Sequence, residues 1–135
     1  MALLFLSKPW IDEARTRLES SQAFLAAAKN VNAAMVNVVT DVPSRATVFL
    51  YYRFGEGRIQ EISVGDDPKI AQRPFELKST GSYETFMAIN QGKMGITAAV
   101  LGRKVKLEGN LSKALSYVKP INAMNEVLRS IPTEY

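Results

Sequence analysis

With 135 residues, 47% of them hydrophobic and 22% charged, the chain has the composition of a single globular domain, 1–135. It contains neither cysteine nor histidine, which excludes disulfides, thiol nucleophiles, Cys/His zinc sites and imidazole acid–base chemistry together. The net charge of +4 is modest, and Lys and Arg are scattered without interleaved aromatics, so no nucleic-acid partner is expected.

The opening Met1-Ala-Leu-Leu-Phe-Leu6 is too short an apolar run for a secretory signal, and no stretch approaches the ~18 apolar residues of a membrane span. The ending Pro132-Thr-Glu-Tyr135 is not a peroxisomal address, and the expected location is cytoplasmic. Pro9 suits a first helical turn, and Trp10, Ala14 and Leu18 form a stripe at four-residue spacing. Ser20-Ser21 divides this helix from a second, Gln22 to Lys29, with Phe24, Leu25 and Ala28 inward. Val31 to Val39 is rich in β-branched residues and reads as a strand, followed by a loop at Asp41-Val-Pro-Ser44. Val48, Leu50, Tyr52 and Phe54 then share one face of a strand that turns at Gly55-Glu-Gly57 into another, Arg58 to Gly65. This is a meander of antiparallel strands, which argues against a dinucleotide fold. Asp66-Asp-Pro68 is turn chemistry rather than a metal site.

From Phe75 the pattern becomes denser. Phe75, Leu77 and Ser79 alternate with polar neighbours as in a half-buried strand; Gly81 ends it and Ser82 caps a helix carrying Tyr83, Phe86, Met87 and Asn90 on one side. Gly92 closes that helix in a left-handed conformation, and Gly102 is expected to close Ile96–Leu101 in the same way. Val105 and Leu107 alternate with Lys104, Lys106 and Glu108, giving a strand with one wet face. Gly109-Asn110 turns the chain, with Asn110 as cap of a helix opened by Leu111. The apolar stripe Leu111, Ala114/Leu115, Val118, Ile121, Met124, Leu128 and Ile131 runs across Pro120, which predicts two helical pieces sharing one buried face. No carboxylate pair falls within local reach, and Gly92-Lys93 has Met87 where a phosphate-binding loop needs its first glycine. No enzyme activity is expected.

Ser82-Tyr-Glu-Thr-Phe86, Asn90-Gln-Gly-Lys-Met94, Ala98-Ala-Val-Leu-Gly102, Arg103-Lys-Val-Lys-Leu-Glu-Gly-Asn110 and Ala114-Leu115 together resemble the core signature of the sterol carrier protein type 2 family. Arg103 stands where Lys is commoner and Asn110 where Asp is commoner; the first keeps the charge sign, the second the capping capacity. The resemblance implies an α+β fold: a five-stranded, mainly antiparallel sheet covered on one face by about five helices, with an apolar tunnel between the layers. It implies non-catalytic binding and intracellular transfer of a lipid or other hydrophobic ligand, gated by the C-terminal helix, with no cofactor. Implied lining residues are Phe86, Met87, Met94, Ile96, Ala99, Val105, Leu107, Leu115, Val118, Ile121, Met124 and Leu128. Met87, Met94 and Met124 are flexible enough to suit varied ligands, and Ala98, Ala99 and Ala114 are small where Leu would fill space. Lys93, Arg103 and Lys113 are candidates for headgroup or anionic-membrane contact. The alternative is an accessory module presenting a hydrophobic substrate to a partner enzyme.

Overall fold

The helices begin where the sequence places its hydroxyls. In the computed structural model, which describes residues 2–135, Ser7 Oγ accepts the Trp10 N–H at the head of α1 (Lys8–Ser20). Ser21 Oγ does the same for Phe24 in α2 (Gln22–Ala28), and Ser82 Oγ for Thr85 in α3 (Tyr83–Asn90). Each such cap satisfies an orphan backbone donor and contributes about 1 kcal/mol. Two further helices, α4 (Ile96–Leu101) and α5 (Ala114–Arg129), start without a side-chain cap.

Alternating apolar residues build the strands β1 (Leu3–Leu4), β2 (Ala33–Val42), β3 (Ala46–Gly55), β4 (Arg58–Gly65), β5 (Leu77–Ser82), β6 (Val105–Gly109) and β7 (Thr133–Glu134). Five of them form one sheet in the order β4-β3-β2-β5-β6, antiparallel except for the parallel β2–β5 pair. The fold is therefore α+β with the expected five strands and helical cover. On the helix-facing side Met35, Val39, Leu50, Tyr52, Phe54 and Leu77 join Trp10, Leu18, Phe24, Met124 and Leu128 in the main core. Each fully buried side chain of this size contributes roughly 1.5–3 kcal/mol. Near the chain ends, β1 and β7 pair in parallel and Trp10 Nε1 donates to Thr133 Oγ1 at 3.0 Å.

The opposite sheet face has a cover that the sequence did not reveal. A 3-10 turn, Pro68–Gln72, lays Ile70 and Ala71 over Ala34, Val36 and Tyr51. Asp67 caps this turn through the Lys69 N–H, the role anticipated for it. Arg73 sits 3.7 Å above the Tyr51 ring and pairs with Glu61. The hydrogen bond from Arg73 holds the Glu61 carboxyl below the usual carboxylate range.

Several boundaries move. β2 runs later than Val31–Val39, and β5 continues through Gly81 to Ser82. A Cβ at Gly81 would lie 3.1 Å from both the Lys104 carbonyl oxygen and the Phe86 ring, so glycine there permits close packing within a strand rather than ending it. Gly92 is left-handed as expected (φ 79°), but after α4 the left-handed residue is Arg103 (φ 60°), with Gly102 at −80°. Asn110 does not cap a helix: its Oδ1 accepts the Ser112 hydroxyl, and a 3-10 turn, Leu111–Lys113, precedes α5. Finally, α5 runs unbroken through Pro120 instead of splitting into two pieces.

Candidate functional site

Strand register decides what faces the helices. Tyr52, Met35 and Leu77 form one cross-strand row; Leu50, Asn37, Ser79 and Leu107 form the next. Over part of these rows the helical layer does not close. There α4 and the first half of α5 enclose a cavity of ≈ 230 Å³. Its floor is Met35, Tyr52, Leu77, Ser79 and Leu107 from the sheet. Its walls are Ile96, Thr97, Val100 and Leu101 from α4 and Ala114, Leu115, Val118 and Ile121 from α5.

The space has a local cause. α4 is only six residues long, and its one buried side chain, Ala99, packs with Ile89 of α3 and Val105 at the start of the edge strand β6 rather than over the central strands. At the first turn of α5 the small Ala114 meets the cavity where a larger residue would fill it. Leu101 and Leu115 stand 80% and 87% exposed at the mouth. Two leucines left in water beside an apolar opening mark a surface made for an apolar partner.

No charged residue lines this cavity; its polar groups are Tyr52, Ser79 and Thr97. Burial pushes the Tyr52 phenol well above its ordinary range, an effect partly offset by a hydrogen bond with the Asn37 side chain. The phenol is therefore neutral at any physiological pH. Among the described residues no group of three or more His, Asp or Glu is placed to hold a metal.

Ile96, Leu107, Leu115, Val118 and Ile121 from the expected lining come together here. Met124 and Leu128 lie in the main core, with Phe86 and Met87 packed against it. Ala99 and Val105 belong to a separate cluster with Ile89, flanked by Met94 and Ile96. Of the sheet floor only Leu107 was among the expected lining residues, although alternation in β3 and β5 places Tyr52, Leu77 and Ser79 on the inner face. Of the basic residues, Arg103 borders a groove with Lys106 and Leu111 that shares Val100 and Leu107 with the cavity. Lys93 and Lys113 are exposed in the turns before α4 and before α5.

The far end of α5 is fastened down. Arg129 Nε donates to the Asn90 carbonyl at 3.2 Å and its Nη2 to the Ile89 carbonyl at 3.1 Å, covering the C-terminus of α3. Asn90 Nδ2 in turn donates to the Tyr135 hydroxyl at 2.6 Å. A larger depression of ≈ 730 Å³ lies beside the N-terminal segment, but Lys8, Arg45 and Asp66 are part of its lining, so it presents charges where an apolar ligand needs none.

The SCP-2 sterol transfer family model matches residues 11–122. Among curated proteins none matches the sequence significantly. Among solved structures, the chain is similar to a conserved hypothetical protein, possibly a sterol carrier protein, from Thermus thermophilus. The TM-score is 0.81 at 14% identity, covering 99% of this chain and 94% of that one. A crystal structure of sterol carrier protein 2 aligns with a TM-score of 0.79 at 14% identity, covering 94% of this chain and 98% of that one. The palmitated sterol carrier protein 2-like 2 of Aedes aegypti aligns with a TM-score of 0.58 at 12% identity, covering 99% of this chain and all of the other (100%). At these identities the structural likeness concerns the fold.

Proposed function

The chain belongs to the SCP-2 sterol transfer family, and we propose that it is a non-catalytic carrier whose hydrophobic ligand sits between the sheet and the α4–α5 pair. One observation carries this reading: an apolar cavity without a charged lining residue, opening between two exposed leucines. With no cation or anion in its lining, such a site holds its guest chiefly by burial. Each methylene removed from water contributes about 0.8 kcal/mol, so ten of them give about 8 kcal/mol before ordering costs.

At ≈ 230 Å³ the cavity is smaller than the roughly 300–1,000 Å³ usual for ligand pockets. It suits a single acyl chain or a comparable slender group; the palmitated relative is consistent with that class. Larger cargo requires the first half of α5 to move outward, which its uncapped start and the weak 3-10 turn before it favour. Arg103, Lys113 and Lys93 would then hold the protein against an anionic bilayer during exchange.

Native mass spectrometry of the purified protein, joined to vesicle-to-vesicle transfer of a fluorescent acyl lipid, tests the proposal. A co-purified lipid and accelerated transfer are expected. Protein that carries no lipid, takes none up and leaves transfer at its spontaneous rate would overturn it.

A further inference from the structure

The cavity floor is not uniformly apolar. Asn37 and Ser79 are direct partners across β2 and β5, and Tyr52 stands beside them on β3. Alternation sets Asn37 on the helix-facing side with Met35 and Val39, which belong to the main core. Tyr52 and Ser79 line the cavity directly, with Asn37 beside Ser79 in the strand register. These groups lie on the sheet wall, while the mouth is formed by exposed Leu101 and Leu115 from the helical wall.

A hydroxyl both donates and accepts, so Tyr52 and Ser79 match an uncharged oxygen of either polarity. The pair offers no cation to an anion. An ionised carboxylate brought to this floor would lose its hydration with no opposite charge to replace it. A plain hydrocarbon would leave the Ser79 hydroxyl facing a group that cannot hydrogen-bond.

We infer that the cavity prefers amphiphiles with an uncharged oxygen head, a hydroxyl or carbonyl, which enter head first against Tyr52 and Ser79. This rests on the carrier reading above and narrows it to a ligand class. The hydrocarbon part fills the space under α4 and α5 and emerges between Leu101 and Leu115. Charged lipids bind the other way round, tail first, with their heads left in water at the mouth.

The test compares dodecanol, dodecanoate and dodecane as competitors for a bound fluorescent hydrocarbon on the full, delipidated chain, at a pH where dodecanoate is ionised. Dodecanol should bind about tenfold tighter than either, the size of one good hydrogen bond. In Ser79→Ala and Tyr52→Phe the dodecanol-to-dodecane affinity ratio should fall at least about threefold. Dodecanoate binding as tightly as dodecanol, or a ratio unmoved in both folded variants, would overturn the inference and leave the carrier reading intact. Binding by none of the probes would overturn both. Should either variant fail to fold, the comparison on the unaltered chain decides the matter.

Discussion

Val118 and Met124 lie on one helix and carry similar bulk, yet they meet different surroundings. Val118 borders empty space, whereas Met124 is 4% exposed within the main core. An indole tells them apart. Val118→Trp should fill the cavity, lowering acyl-probe affinity by at least about tenfold with the melting temperature unchanged or raised, because new apolar contacts replace void. Met124→Trp should overpack instead, costing about 1–3 kcal/mol in denaturant unfolding. Equal effects at the two positions would show that the cavity boundary along α5 is misplaced.

At the scale of elements, α5 is a helix held at one end. Arg129 covers the α3 C-terminus, and it packs where Gly92 has no side chain: a Cβ there would lie 2.8 Å from Arg129 Nε. Arg129→Met keeps most of the apolar stem but leaves the Asn90 carbonyl to water, while the Ile89 carbonyl keeps the Gly92 N–H. It should destabilise the chain by about 1–2 kcal/mol, read by chemical denaturation. The apolar period showed that α5 is amphipathic and that Met124 and Leu128 face inward. It did not show which turns press on the sheet and which stand off, because periodicity fixes a direction around an axis and not a distance from a neighbour. Nor did it show that Pro120 is accommodated within one helix; that depends on packing around a residue that is fully buried. The Ser82 cap was legible because it depends on a hydroxyl three residues from its donor, whereas the cap expected at Asn110 did not form. The sheet floor was half legible: alternation gave the inner face of β3 and β5, but the parallel β2–β5 pairing that sets Asn37 beside Ser79 joins segments far apart in the chain.

Across the whole molecule, polar and apolar work are divided. The loop over the outer sheet face carries the Arg73–Glu61 pair and the Arg73–Tyr51 stack. The cavity mouth carries leucines, with Arg103 and Lys106 in the adjoining groove. Replacing Lys93, Arg103 and Lys113 with glutamate should weaken binding to anionic vesicles by more than about tenfold, at about 1 kcal/mol per basic residue removed, and leave neutral vesicles unaffected. Unchanged sedimentation with anionic vesicles would remove these three residues from the membrane contact.

Pro120 has no N–H to offer the Ser116 carbonyl, so the backbone ladder of α5 has a missing rung between its cavity-lining start and its tethered end. Rupture on one side of that rung need not spread to the other. Deuterium should therefore enter the amides of residues 115–119 well before those of 124–129, under conditions where the central strands β2 and β3 remain protected. A uniform exchange rate along the helix would mean that it unzips as one piece, and that cargo leaves only when the whole roof lifts.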